Sequence, residues 1–192
     1  MQRSGYTVVT VEGDPRAFKI TTQDDLARGI AMYANEPRIR VGTGTDVHAF
    51  DDENELRLAG LTWPGERGLS GHSDGDVISH AIVDALLGAA GLGDIGGMFG
   101  TADPRFEGAA GTVFIAGAIE RLAEAGWRPV NVSVQVLGNR PKVGPRREEA
   151  ERVLSEAVGA PVSLAATTTD ALGFTGRGEG IAATATALIT RA

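Results

Sequence analysis

The sequence predicts an α+β fold, a mixed β-sheet with helices packed on one of its faces, and three observations lead there. Val130, Val132, Val134 and Val136 alternate with other residues at the period of a half-buried strand. Ile78, Ile82, Leu86 and Ala89 recur at the spacing of one helical face. Strand-like and helix-like stretches then take turns from Arg38 to the end of the chain, with no internal repeat at solenoid periods.

Residues 1–37 read as a piece apart from a main domain spanning 38–192. Val8, Val9 and Val11 suggest a short strand, and Phe18 to Thr21 another. Thr22-Gln23-Asp24-Asp25 has the form of a capping box opening a helix that runs to about Tyr33, where Ala34-Asn35-Glu36-Pro37 supplies a break. So small a piece cannot bury a core of its own, and is expected to dock on something or to be partly mobile. In the main domain, Arg38 to Asp46 reads as a strand and Leu56 to Leu61 as a short second one. Asp76 to about Ala90 is an apolar helix, and the glycine-rich stretch Gly93 to Gly111 a long mobile loop of the kind that carries function. A second amphipathic helix covers Thr112 to Ala125, followed by the valine strand, a loop at Gly138 to Pro145 and a helix from about Arg146 to Val158. Val162 to Ala166 and Ile181 to Ile189 are the closing strands.

Composition narrows the function. With 192 residues, 42% hydrophobic and 22% charged, the chain is long enough for a real core and has globular rather than disordered composition. A formal net charge of -7 argues against bulk nucleic-acid binding, which needs clustered Lys and Arg. A small anionic substrate would have to be neutralised by metal ions, local cations or backbone N–H groups. The absence of cysteine excludes disulfides, a thiolate nucleophile and thiolate zinc ligands, so any zinc must use His and carboxylate. Met1 to Thr10 lacks the form of a signal peptide, and the apolar stretch Ala81 to Gly93 carries Asp84 and is too short to span a bilayer. A cytoplasmic protein without membrane partners is the expectation.

All three histidines lie between positions 48 and 80, beside carboxylates: Thr45-Asp46-Val47-His48, then Gly71-His72-Ser73-Asp74-Gly75-Asp76, then His80. Asp46 and His48 would share one face of an extended strand, while His80 stands one helical turn beyond Asp76. Two imidazoles and a carboxylate from a strand and a helix make a three-ligand set with an open fourth position, the form of catalytic zinc sites. Singly, each could equally be a turn, a cap or a satisfied core residue. Gly71 to Asp76 would also place backbone amides and His72 at a helix N-terminus, where an anion binds well. Thr167-Thr168-Thr169-Asp170 followed by Gly173-Phe174-Thr175-Gly176-Arg177-Gly178-Glu179-Gly180 combines hydroxyls, open backbone amides and an Arg between two strands. That suits phosphate oxygens, with Asp170 placed for a divalent ion, or is simply a flexible loop. Neither a P-loop nor a complete dinucleotide fingerprint is present: Gly42-Thr43-Gly44 lacks the third glycine.

Taken together, Arg40 to His48, Gly71 to Asp76 with His80, Asp84 to Ala89, Gly93-Asp94-Ile95-Gly96 and Ala166 to Gly180 closely resemble the 2-C-methyl-D-erythritol 2,4-cyclodiphosphate synthases of the non-mevalonate isoprenoid pathway, in order over about residues 38–191. The resemblance implies that Asp46, His48 and His80 ligate a zinc-type ion, and that His72 and Thr168 position phosphates and stabilise the transition state. It implies that Ser73, Asp94 and Gly96 contact the methylerythritol phosphate part, and that Phe99 and Asp103 carry over from a segment that otherwise differs. Gly138 to Gly144, with Pro141 and Lys142, corresponds to a loop holding cytidine from a neighbouring subunit. Thr167, Thr168, Thr169 and Asp170, with Phe174 and Arg177 beyond, correspond to the segment for nucleotide phosphates and a second, Mg- or Mn-type ion. Family members are homotrimers with active sites between subunits, so a homotrimer acting on a small nucleotide substrate is implied here. The family commonly has Glu where this chain has Asp170. Val8 to Tyr33 resembles the C-terminal tail of the cytidylyltransferase acting two steps earlier, as in a fused bifunctional enzyme. A metal-dependent phosphohydrolase and a non-catalytic trimeric binding module are the rival readings.

Overall fold

The computed structural model describes residues 9, 11–14, 17–33, 39–71, 73–100 and 108–192. It divides into two compact units, Met1–Pro37 and Arg38–Ala192. The first carries helix α1, Gln23–Tyr33. Its cap is reciprocal: Thr22 Oγ1 accepts from Asp25 N at 3.1 Å, and Asp25 Oδ2 accepts from Thr22 N at 2.9 Å. Hydrogen bonds from Thr21 N and Oγ1, and then those with Thr22, hold the Asp25 carboxyl down at about 2. The two strands expected before it are absent among the described residues, and Val8 lies outside them. Val9 and Val11 are 79% and 86% exposed, because two short segments without a third strand or a covered face do not make a stable sheet.

The second unit is a five-stranded sheet in the order β2-β1-β5-β3-β4. Its strands are β1 Ile39–Leu58, β2 Leu61–Leu69, β3 Trp127–Leu137, β4 Val162–Thr167 and β5 Gly180–Arg191. β5 runs antiparallel to both β1 and β3, whereas β3 and β4 are parallel, so the sheet is mixed. Helices α2 Val77–Ala90, α4 Gly111–Glu124 and α5 Arg147–Val158 pack on it, α2 against β1, β5 and β3, and α5 against β4. One-turn pieces α3 Ile95–Phe99 and α6 Gly173–Gly176 interrupt stretches expected to be loop.

The expected strand at Leu56 to Leu61 instead straddles a hairpin. β1 ends at Leu58, Ala59 and Gly60 turn with φ of 59° and 70°, and β2 starts at Leu61. Two successive left-handed residues make the turn that matches strand twist, normally written Asn-Gly. Ala59 holds that conformation because its N–H and that of Gly60 donate to the Asp76 carboxylate at 2.9 and 2.7 Å. The same carboxylate caps α2 through Ile78 N, Ser79 N and Ser79 Oγ. Asp76 is fully buried and ties the hairpin to the helix.

Small residues set how closely α2 approaches. A Cβ on Gly42 would lie 2.2 Å from Ala85 O, and one on Gly44 2.3 Å from Ala81 O, so the helix backbone lies directly on β1. Ala183, Ala185 and Ala187 keep the neighbouring strand equally shallow, and Ile78, Ile82 and Leu86 are fully buried. Each of those three large side chains contributes about 1.5–3 kcal/mol. The opposite face shows rows such as Val41–Leu188–Asn131, Thr43–Thr186–Ser133, Thr45–Thr184–Gln135 and Val47–Ala182–Leu137, none with a charge.

Candidate active site

Strand period and helix approach together build a three-residue cluster. Asp46 and His48 alternate onto the face of β1 that meets α2, and the glycines at 42 and 44 bring the first turn of α2 against them. His80, 7% exposed, reaches the same point from the helix. Asp46 Oδ2 lies 2.9 Å from His48 Nε2 and 3.0 Å from His80 Nδ1, and the two ring nitrogens are 3.3 Å apart. Among the described residues this is the group of three or more that could hold a metal ion.

The donor set fits such an ion. Ligand bonds of about 2.0–2.2 Å in a tetrahedron place neighbouring ligand atoms roughly 3.3–3.6 Å apart, close to the spacings found. His48 Nδ1 faces the carbonyl oxygen of Ser70, which can accept and not donate. The proton of a neutral His48 therefore sits on Nδ1, and Nε2 turns a lone pair into the cluster. Three electron-rich atoms then converge, an arrangement that a cation stabilises. Burial pushes the Asp46 carboxyl up, but hydrogen bonds and charge from His48 and His80 outweigh it and hold Asp46 well below the carboxylate range. Burial pushes His48 down, and the Asp46 hydrogen bond and charge carry it above the ordinary histidine value. Nearby, burial and then Asp76 raise Asp74, while burial, partly opposed by the Ile95 N–H, raises Asp84.

A second set of expected residues meets elsewhere on the unit. Gly138, Pro141, Lys142, Gly144, Thr167 and Thr168 line one cavity of about 340 Å³. The loop is pinned to the end of β4 by Gly138 N donating to Thr167 O at 3.1 Å, and to the glycine-rich segment by Asn139 Nδ2 donating to Gly176 O at 2.7 Å. Strand register places this cavity at the same end of the sheet as His48, through the row Val47–Ala182–Leu137–Thr167 beside it. β1 and β4 are three strand spacings apart there, about 14 Å.

Other expected residues are placed differently. Asp94 caps α3, accepting from Gly97 N at 2.7 Å, and Gly96 lies in that turn. Phe99 stands edge-on to Phe114 and closes over Gly117, so its ring is largely spent on packing. Thr169 bonds Leu172 O at 2.6 Å and Thr175 Oγ1 at 3.1 Å within its own loop. Exposed Asp170, with φ of 49°, lies 3.4 Å from Thr168 Oγ1. Arg177 is engaged bidentately by Glu179 at 2.7 and 3.1 Å, and Phe174 is 38% exposed. His72 and Asp103 lie outside the described residues. Sequence reasoning placed Asn139 in the cytidine loop without singling it out and gave no role to Arg147, although both line the cavity, since an Asn in a loop and an Arg opening a helix carry no distinctive signal.

Known proteins resemble this chain over most of its length. A model of the YgbB family matches residues 39–190. The chain is 60% identical to the bifunctional enzyme IspD/IspF of Clavibacter michiganensis over 197 aligned positions, covering 99% of this chain and 48% of that protein. It is 58% identical to the 2-C-methyl-D-erythritol 2,4-cyclodiphosphate synthase of Cutibacterium acnes, covering 80% of this chain and 92% of that enzyme. The chain thus spans about half of its bifunctional relative and nearly all of the single-function one. Among solved structures it is similar to the bifunctional IspDF of Campylobacter jejuni, with a TM-score of 0.77 at 32% identity over 100% of this chain and 52% of that one. It is also similar to the IspF of Plasmodium falciparum solved as a CDP complex, with a TM-score of 0.70 at 29% identity over 81% of this chain and 99% of that one.

Proposed function

The chain belongs to the YgbB family, and from that premise we propose that residues 38–192 convert 4-diphosphocytidyl-2-C-methyl-D-erythritol 2-phosphate to 2-C-methyl-D-erythritol 2,4-cyclodiphosphate and CMP. The observation that carries the reading is the convergence of Asp46, His48 and His80 at the same sheet end as a cavity lined by Thr167, Thr168, Pro141 and Lys142. A 2-phosphate oxygen forms the new bond to the β-phosphorus, the bond from that phosphorus to the α–β bridging oxygen breaks, and CMP leaves with the electron pair. The nucleophile belongs to the substrate, so no Ser, Cys or Lys nucleophile is needed and catalysis is positioning plus charge neutralisation.

Asp46, His48 and His80 would hold a zinc-type ion, which supplies Lewis-acid polarisation of the β-phosphate when bound. Thr168 and His72 orient the phosphates by hydrogen bonds. Backbone groups of the 138–144 loop hold the cytosine and ribose, Lys142 offsets anionic charge, and Thr167 and Thr169 with Asp170 flank the departing phosphate. Asp170 is the candidate for a weaker Mg- or Mn-type ion, held mainly by phosphate and water because one carboxylate supplies few ligands. Ser73, Asp94 and Gly96 receive the methylerythritol part, Phe99 and Asp103 carry over from the family as further substrate contacts, and Phe174 and Arg177 border the phosphate segment.

A homotrimer is part of the proposal. Two features support it: the separation of the metal cluster from the cavity within one chain, and an outer sheet face whose rows from Val41 to Val47 carry no charge and on which Val41 and Val47 are 63% and 50% exposed. The cavity of one subunit would then complete the metal centre of the next. No helix of the described residues is long and apolar enough to cross a membrane, and a cytoplasmic enzyme is proposed. Residues 1–37 fit the cytidylyltransferase tail of a bifunctional IspD/IspF, since the match to the bifunctional relative runs through them. Phosphorus NMR on the cytidine substrate, with metal analysis of the same sample, tests the reading. Cyclic diphosphate and CMP are expected; linear phosphate products would turn it into a phosphohydrolase.

A further inference from the structure

Ser73 lies on the turn joining β2 to α2, with its Oγ 3.0 Å from Nε2 of His80. The His80 ring is buried and stands edge-on to Phe114, centroids 5.6 Å apart at 89°. Its other nitrogen, Nδ1, is the one that faces Asp46 and His48. For His48 the corresponding outer contact is the Ser70 carbonyl, which dictates where the ring proton sits. Beside His80 Nε2 it is the Ser73 hydroxyl that takes this place.

We propose that Ser73 is a positioning residue of the metal centre: its hydroxyl oxygen accepts the Nε2–H of His80 and so presents Nδ1, with its lone pair, to the ion. The turn is built to hold that hydroxyl still. The adjacent Asp74 accepts from Asp76 N at 3.1 Å and Gly111 N at 2.9 Å, and its own N–H donates to Ala109 O at 3.2 Å. Ser73 is thereby fixed from the α2 side and from the start of α4. The inference rests on the metal-centre part of the proposed function and goes beyond it, since the family resemblance implies for Ser73 a contact with substrate. The two roles are compatible in one hydroxyl, which can accept from His80 and donate its own proton elsewhere, but they answer to different measurements.

The full chain is compared with its Ser73→Ala and Ser73→Thr variants in the absence of substrate. Zinc affinity is read by chelator competition and site geometry by the visible spectrum of bound Co(II). Ser73→Ala is expected to weaken zinc by about 10- to 100-fold and to change the cobalt spectrum. Ser73→Thr, which keeps the hydroxyl, is expected to restore both, with circular dichroism unchanged in each. Wild-type zinc affinity in Ser73→Ala, with a raised KM alone, would overturn the inference and leave Ser73 as a substrate contact. Equal weakening by Ala and Thr would overturn it too, since the hydroxyl would not be the cause. Absence of cyclic product from the unmodified chain would sink the proposed reaction while leaving these metal measurements standing.

Discussion

Replacing Gly44 by Ala tests how the metal centre is assembled. The new Cβ would lie 2.3 Å from Ala81 O, 2.5 Å from Ala85 N and 2.7 Å from Asp84 Cβ. Comfortable non-bonded separations are about 3.5 Å, so α2 must retreat from β1 by roughly 1 Å or the strand must bend by as much. Two of the obstructing atoms are backbone and the third is a Cβ fixed to it, so none can step aside as a side-chain tip could. Forcing a methyl into such a contact costs about 1–3 kcal/mol. The same movement carries His80 away from Asp46 and His48, whose present spacings of 2.9 to 3.3 Å match one ion. Disturbing what orients a metal ligand costs about 10- to 100-fold in metal affinity. We therefore expect Gly44→Ala to lower zinc affinity about 10- to 100-fold and to lower the melting temperature. Gly88→Ala is the control, because nothing lies within 4 Å of a Cβ there, and a helical Gly to Ala change stabilises by up to about 1 kcal/mol. Competition with a zinc chelator and thermal melts of both variants decide it. Unchanged affinity and unchanged melting in Gly44→Ala would refute the view that strand–helix closeness sets the site.

Further outcomes are expected. Asp76→Ala should destabilise the protein by about 3 kcal/mol in urea unfolding, because it leaves buried N–H donors of the hairpin turn and of α2 without an acceptor. Asp76→Asn should recover part of that, since its amide nitrogen can donate to Ser79 Oγ but cannot accept from Gly60 N. For the metal-free protein, His48 is raised and Asp46 lowered. The His48 contribution is complete below about pH 6.5 and is lost as pH rises through the folded value; that of Asp46 is present above about pH 4 and lost as pH falls. Melting with a chelator should therefore decline above pH 6.5, whereas with zinc it should rise over the same window because neutral imidazoles bind the ion. Parallel pH curves would contradict this. Mixing inactive His48→Ala with inactive Thr168→Ala should regain activity after subunit exchange, and no recovery despite demonstrated exchange would place whole sites within single chains.

The cluster of Asp46, His48 and His80 was legible because its logic is local. Asp46 and His48 are related by the strand period, and His80 falls on the first turn of a helix with an obvious apolar face. The capping box of α1 was legible for the same reason. The β1–β2 hairpin was not, since Ala59 turns left-handed through a carboxylate 17 positions later in the chain. Gly42 and Gly44 were weighed against a nucleotide fingerprint that they lack, whereas their use lies in the helix pressed onto them. Ser73 illustrates a third kind of gap: its partner is His80, but nothing in the spacing says which ring nitrogen it meets.

His80 and Asp46 are 34 positions apart in the chain and come from different elements. An ion held between them is therefore a reversible cross-link, closing a long loop that the unfolded chain leaves open. A ligand that binds the folded state alone adds about 2.7 kcal/mol at a free concentration one hundred times its dissociation constant. On that scale the metal supply would set not only how fast the protein turns over but how long a newly made chain survives proteolysis.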